Sequence, residues 1–223
     1  MSTPENLLDA AEQLFAQQGI ASSSLRDITA AAGANLAAVN YHFGNKDGLL
    51  RAVLVRRAAP LHAERERLLA LAETAAGDHP PTVRAILQAF LDPMFRMLRE
   101  CPHFPAVMGR VLMENWMPVV GEVFRETFHD TLARFGGALA RALPAVPTEE
   151  IAWRLLFTVG VCHFVNCSQS AFPEALKSAP LDAIQMTERV IGFCEAGLRS
   201  AVAETRFDST LESLGREPGR GRP

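Results

Sequence analysis

The chain has 223 residues, which fits a small domain followed by a larger one, and 48% of them are hydrophobic, enough for a buried core. Its formal net charge is −3, unlike the positive balance of a strongly basic nucleic-acid-binding protein. No run of about 18 uncharged apolar residues occurs, so the sequence predicts no membrane span and no membrane partner. The first residues lack a basic region followed by an apolar segment, which predicts a cytoplasmic protein without a secretory signal.

The first predicted helix runs from Pro4 to Gln18, with Thr3 as its N-cap and Gly19 at its end. Its apolar residues recur at helical spacing and form one inner stripe, made of Leu7, Ala11, Leu14 and Phe15.

The stretch SSSLRDITAAAGANLAAVNYHFGNKDGLL, residues 22–50, predicts two further short helices and the start of a fourth helix. Ser24 and Asp27 form a capping box, so a helix is expected directly after Ser24. Gly33 stands where the chain leaves that helix through a positive φ, and Asn35 is the expected N-cap of the next one. This order is typical of a helix-turn-helix.

The second of these short helices has two distinct faces. At 100° per residue, Val39 and Phe43 share one side with His42 beside them, and this side is expected to face the supporting helices. The opposite arc has the size and chemistry to enter the major groove of DNA, and it carries Leu36, Ala37, Asn40 and Tyr41.

The run from Leu25 to Leu50, and AVNYHFGNKDGLL above all, resembles the DNA-binding domain of the TetR family of bacterial transcriptional regulators. The commonest pattern of the family has a Tyr where Asn40 stands. The form NLAAVNYHFG is similar to the fatty-acid-responsive regulators of the PsrA type, and MGRVLMEN and EEIAWRLLFTVGVCHF fit that subgroup more loosely.

The resemblance implies an all-α, TetR-like fold in three parts. Residues 1–48 would form a three-helix helix-turn-helix domain, and residues 49–203 a larger helical domain for ligand binding and dimerisation. The polar residues 204–223 cannot bury apolar surface and are predicted to be a disordered tail. In such proteins the helices after the fourth enclose a ligand cavity, and the last two long helices pair with those of a second subunit in a homodimer.

The residues that the resemblance places against double-stranded operator DNA are Ser24, Arg26, Leu36, Ala37, Asn40, Tyr41, His42 and Lys46. Arg26, Tyr41, His42 and Lys46 would contact phosphates, and Asn40 has the amide to read adenine. Other interpretations stay open: Arg26 as a solvated side chain, His42 as packed against the support, Asn40 as bonded within the domain, and Ser24 chiefly as a cap.

The first 60 residues carry five basic and five acidic groups, so the predicted DNA-binding domain is neutral. The acidic Glu5, Asp9 and Glu12 lie on the first helix and can face away from the phosphates. We therefore expect modest affinity per subunit, which dimerisation on a two-fold operator would compensate.

Helices are predicted over most of the remaining chain, with no competing strand pattern. Asn45 should cap a fourth helix that continues as far as Ala76. Proline-containing breaks separate the later helices, at about 82–100, 103–115, 118–143, 148–171 and 181–203.

The larger domain is rich in flexible Met and aromatic side chains, which could line an apolar ligand channel. Such residues at helical spacing also occur in ordinary hydrophobic cores. Within the apolar helix 148–171, His163 and Asn166 offer polar anchors for a ligand, or His163 is a buried, hydrogen-bonded histidine. The candidate ligand-binding residues are Phe90, Met94, Met97, Met108, Leu112, Trp116, His163 and Asn166.

No metal, cofactor or catalytic site is predicted. His163 and Cys167 are one turn apart but lack a third ligand, and Cys101 and His103 lack an orienting group. The four cysteines have no disulfide spacing and should behave as small apolar residues.

The leading hypothesis is a homodimeric repressor, not an enzyme, that an apolar inducer such as a long-chain fatty acid or acyl thioester releases from DNA. The alternative is a TetR-type regulator of efflux or catabolism with an aromatic or drug-like inducer. More remote alternatives are an activator of the same fold, a helical protein-interaction module and an enzyme.

Overall fold

The computed structural model describes residues 3–167 and 183–201, and this part of the chain is entirely helical apart from its turns and connections. None of its helices is long and apolar enough to cross a membrane. The helices are α1 (Thr3–Gln18), α2 (Leu25–Ala31), α3 (Leu36–Phe43), α4 (Lys46–Ala76), α5 (Val83–Glu100), α6 (Phe104–Met113), α7 (Met117–Thr127), α8 (His129–Ala142), α9 (Thr148–Cys167) and α10 (Ala183–Arg199).

The predicted local signals of the helix-turn-helix are confirmed. The Ser24 hydroxyl accepts a hydrogen bond from the Asp27 N–H at 3.1 Å, and the Ser24 N–H donates to the Asp27 carboxylate at 3.3 Å, which completes the capping box. Gly33 has φ +61°, and the Asn35 amide oxygen caps α3 by accepting from the Ala38 N–H at 2.9 Å. Short-range hydrogen bonds therefore fix both ends of the turn.

Two predicted helix boundaries are wrong. Helix α1 begins at Thr3, so Thr3 is not its N-cap; Pro4 is tolerated in the first turn because no partner for an N–H is needed there. The predicted helix 118–143 is divided at Phe128 into α7 and α8. The Thr127 hydroxyl donates to the Val123 carbonyl at 2.7 Å, a contact that bends helices, and the Phe128 ring is buried among other aromatic rings.

The buried side chains form two hydrophobic cores. The first unites α1, α2, α3 and the first half of α4 with α6 and α7, through side chains such as Phe15, Ile28, Val39, Leu50 and Val107. The second core is built by α5, α8, α9, α10 and the second half of α4, with Phe90, Phe135, Leu139, Ile151 and Ile191 among its members.

Helix α4 contributes to both cores, and α6 packs directly against α1. The first core takes residues from both sides of position 48, for example Val39 and Leu50. The domain division at that position stays a prediction, and the predicted tail 204–223 lies outside the described residues.

Candidate DNA-binding and ligand-binding sites

Helix α3 turns one face into the first core and leaves the other open to solvent. Val39 is fully buried, whereas Tyr41 is 85% exposed and Leu36 is 42% exposed. Ala37 and Asn40 are also exposed, and the Asn40 side chain makes no hydrogen bond within the described part of the chain. The open arc thus presents an amide and a phenol with free hydrogen-bonding groups.

The expectation that His42 faces the supporting helices is wrong, because its side chain is exposed. Its ring meets the Tyr41 ring edge-on with the centroids 4.9 Å apart. His42 therefore widens the polar surface of α3 toward the Tyr41 side.

The other predicted DNA-contact residues flank α3. Arg26 on α2 is exposed and forms no ion pair with any residue in the described ranges. Lys46 is half-buried and donates from Nζ to the Ala21 carbonyl at 2.9 Å; burial lowers the pKa of its ammonium group. Lys46 thus holds the turn between α1 and α2 with one of its three N–H groups, and Ser24 is occupied as a cap.

The neutral charge of this domain has a structural explanation. Glu12 of α1 is 4% exposed and receives hydrogen bonds from Arg56 at 2.7 Å and from Arg57 at 2.9 and 3.0 Å. Asp9 binds Arg56 as well, at 2.7 Å. The acidic groups of α1 therefore neutralise two arginines of α4, and both sets are tied up within the fold.

A cavity of about 190 Å³ lies between the two cores, and its walls are almost entirely apolar. Helices α4, α5, α6, α7 and α9 and the residue between α7 and α8 supply its lining: Leu54, Arg57, Ala58, Leu61, His62, Arg65, Met94, Met97, Leu98, Phe104, Met108, Val120, Val123, Phe124, Thr127, Phe128, Val159, Cys162 and His163.

Half of the predicted ligand-binding residues line this cavity, namely Met94, Met97, Met108 and His163. Phe90 does not, since its ring is 1% exposed within the second core. Leu112 is 46% exposed, on the outer side of the helix from the buried Val111, and Trp116 packs against the first core. The side chains of Asn166 and Cys167 lie outside the described residues.

Three polar lining residues on α4, Arg57, His62 and Arg65, were not predicted. Burial, together with the neighbouring Arg65 charge, lowers the pKa of His62 to about 4, so its imidazole is neutral at pH 7. The sequence contained a signal for Arg65, because Leu61 and Leu69 stand four residues to either side of it on one helix face. Arg65 was nevertheless overlooked, because a charged run such as ERER normally indicates a solvated helix surface.

Helices α9 and α10 each carry both buried and exposed apolar side chains. Ile151, Leu155, Val190 and Ile191 are buried, whereas Ile184 is 73% exposed. The exposed large apolar side chains of these two helices are Trp153, Leu156, Phe157, Phe164, Ile184 and Phe193. Phe164 and Phe193 line one open apolar groove between the two helices, and Trp153 lies beside Phe157, so α9 and α10 expose an apolar surface of a kind that commonly binds another protein surface.

Helices α1, α2 and α3 form a three-helix unit that contains a helix-turn-helix, and α3, the second helix of that motif, is exposed. This arrangement defines a class of helical DNA-binding proteins. Residues 7–53 match the bacterial regulatory proteins of the tetR family, and residues 84–197 match the tetracyclin repressor-like C-terminal domain. The chain belongs to the TetR family of bacterial transcriptional regulators. Members of this family are DNA-binding regulators rather than enzymes, and they usually act as dimers with small-molecule ligands.

The chain is similar to the regulator SrpR of Pseudomonas putida, with 28% identity over 130 residues, 58% of this chain and 59% of that protein. The repressor BepR of Brucella suis is 29% identical over 140 residues, 61% of this chain and 64% of that protein. The match thus spans about 60% of the length of either relative.

Among solved structures, the fatty acid degradation regulator FadR of Bacillus halodurans has a TM-score of 0.68, with 90% of this chain and 98% of that chain covered. Its sequence is 17% identical, so this likeness establishes the fold alone.

Proposed function

We propose that this chain is a homodimeric repressor. Its helices α2 and α3 bind operator DNA, and an apolar ligand that enters the cavity between α4 and α9 releases the protein from that DNA. The observation that carries the proposal is the position of the cavity, whose α6 and α7 walls also belong to the core of the DNA-binding helices. A cytoplasmic location is part of the proposal.

In the proposed complex, α3 of each subunit enters one major groove. Asn40 reads a base edge, while Tyr41, His42, Arg26 and Lys46 contact phosphates. Two copies must present their α3 helices about one helical turn of DNA apart, and the exposed apolar surface of α9 and α10 is the surface that would join them.

The apolar lining supports an apolar ligand, and the three methionines Met94, Met97 and Met108 give the wall adaptable side chains. A long-chain fatty acid or acyl thioester, as in the PsrA-like subgroup, is the ligand class we infer. The rings of Phe104, Phe124 and Phe128 favour the second candidate, an aromatic or drug-like inducer.

The cavity is smaller than the roughly 300–1,000 Å³ of ordinary ligand pockets. A bulky ligand must therefore push its walls apart, and one of those walls, α6, packs directly against α1 of the DNA-binding helices.

Glu114, at the C-terminal end of α6, links the cavity to the DNA-binding helices. Its carboxylate accepts a hydrogen bond from the Ala21 N–H at 2.7 Å, in the α1–α2 turn whose carbonyl Lys46 also binds. A ligand that shifts α6 would pull on this turn and change the separation of the two α3 helices.

Electrophoretic mobility shift with the DNA upstream of the protein's own gene tests the proposal. We expect that the purified protein retains this DNA, or a sequence selected from a random pool, and that a long-chain fatty acid releases it. Retention of neither DNA would refute operator binding. Release by a planar aromatic compound, with none by fatty acids up to saturation, would replace the lipid by the second candidate.

The variant Glu114→Ala is expected to uncouple ligand from DNA. Allosteric coupling is typically worth about 1–3 kcal/mol, so the ligand should weaken operator binding by about 5- to 150-fold in the wild type and by less than about 3-fold in the variant. Fluorescence anisotropy of labelled operator, with and without ligand, measures both values. Glu122→Ala, on the exposed side of α7, is the control and should keep the full ligand effect. An undiminished ligand effect in Glu114→Ala would contradict the proposed link.

A further inference from the structure

Arg65 is the most unusual side chain at the cavity wall, since it is only 3% exposed and yet carries a charge. Its Nε donates to the Phe90 carbonyl at 2.8 Å. The guanidinium carbon lies 4.0 Å from the centroid of the Phe90 ring and 5.3 Å from that of Phe128. Backbone and aromatic contacts thus hold the guanidinium in one orientation.

No carboxylate in residues 3–167 or 183–201 forms an ion pair with Arg65. The second cation at the wall, Arg57, is by contrast neutralised by Glu12. Burial lowers the pKa of Arg65 to about 9, so the group is still positive at neutral pH. Burial raises the pKa of Cys162 to about 12, so this neighbouring wall residue stays a neutral thiol and supplies no negative charge.

A buried charge without a counter-ion is costly to the folded protein, and an anion that enters the cavity would recover that free energy through a charge-assisted hydrogen bond. A neutral molecule of the same shape gains the apolar contacts and at most a weaker hydrogen bond, because it carries no negative charge. The cavity wall therefore selects ligands by charge at Arg65 and by hydrophobicity along its apolar residues.

We propose that Arg65 binds the anionic head group of the ligand, and that this ligand is a free carboxylic acid with an apolar body. The inference rests on the proposed ligand-responsive function and narrows its ligand class. An acyl thioester is disfavoured, because its thioester group is neutral and its charged carrier is far larger than a 190 Å³ cavity. A neutral aromatic compound leaves Arg65 unpaired.

Binding of octanoate and 1-octanol to the purified protein, measured by isothermal titration calorimetry at pH 7 in the absence of DNA, tests the proposal. These two probes share one chain length and differ in charge. We expect the wild type to bind octanoate at least about 10-fold more tightly than 1-octanol, in line with a charge-assisted hydrogen bond of about 1.5–3 kcal/mol. Equal affinities, tighter binding of the alcohol, or no binding of either probe would overturn the proposal.

Arg65→Met and Arg65→Lys separate the charge from the shape of the side chain. Arg65→Met should lose the preference for octanoate and bind 1-octanol at least as tightly, because the carboxylate then meets an apolar wall without a cation. Arg65→Lys should retain part of the preference for octanoate. Replacing an unpaired buried charge by an apolar side chain is often neutral or stabilising, so Arg65→Met is expected to fold, which its thermal unfolding checks. If it does not fold, the comparison of the two probes on the wild type still decides. A persistent 10-fold preference for octanoate in a folded Arg65→Met would place the acid at another cation and overturn the assignment.

The same experiment is independent of operator binding. A charge preference that depends on Arg65 in a protein that retains no DNA would refute the repressor proposal and leave the acid site standing. If the protein retains and releases operator DNA but shows no preference between octanoate and 1-octanol, the acid site is refuted and the repressor proposal stands.

Discussion

Asn40→Ala is expected to lower operator affinity at least about 30-fold and to erase part of the preference for operator over unrelated DNA. A good contact between a side chain and a base edge discriminates by about 1–3 kcal/mol, and a dimer makes it twice. Tyr41→Phe should also weaken operator binding, because the phenol hydroxyl is lost from a phosphate. Since phosphate contacts carry no sequence information, Tyr41→Phe should weaken binding to unrelated DNA by the same factor.

Titrations of operator and scrambled DNA at one fixed salt concentration measure both effects. Gln17→Ala, an exposed polar substitution on α1, is the matched control and should change neither affinity by more than about 2-fold. Both α3 side chains are exposed, so stability should change by less than about 0.5 kcal/mol. An Asn40→Ala protein with an unchanged ratio of operator to scrambled affinity would rule out Asn40 as a base-reading residue.

Glu12→Ala should destabilise the helix-turn-helix domain strongly, by about 3–5 kcal/mol. The carboxylate is 4% exposed and receives hydrogen bonds from Arg56 and Arg57, so its removal leaves two partly buried guanidinium groups with less compensation. The loss would also free Arg57 at the cavity wall, so ligand binding is expected to change together with stability.

Urea unfolding followed by far-UV circular dichroism gives the difference in free energy of unfolding. Glu5→Ala is the control, because Glu5 lies on the same helix and approaches the same Arg56 from 3.6 Å, but its side chain is 54% exposed. A pair of this kind is worth about 0–1 kcal/mol. Equal effects of the two substitutions would show that the burial of Glu12 adds nothing to stability.

The helix-turn-helix was predictable because its signals are local. Ser24 and Asp27, Gly33, and Asn35 act through hydrogen bonds and dihedral angles within four residues of themselves, and the resulting turn is the predicted one. The buried Val39 and exposed Asn40 follow from the 100° rotation per residue alone. His42 was misplaced because its arc borders both faces, and periodicity does not decide a border position.

The ligand cavity was less predictable, since its walls come from five helices. Met94, Met97 and Met108 were recognised by residue type, but Leu112 was assigned to the same group and points outward. No proline or glycine marks the break between α7 and α8 at Phe128. The break depends instead on the packing of the Phe128 ring against the rings of Phe90 and Phe124.

By itself, the sequence determined the helical fold, the helix-turn-helix and the exposed arc of α3, because caps, turns and periodicity operate over a few neighbouring residues. Only the tertiary structure decided which charges are paired and which are buried alone. Glu12 meets Arg57 across 45 residues of chain, and Arg65 meets Phe90 across 25. Whether a charged side chain on an α-helix faces solvent, a carboxylate or an apolar cavity is set by the helices packed around it, and no local pattern in the sequence encodes that arrangement.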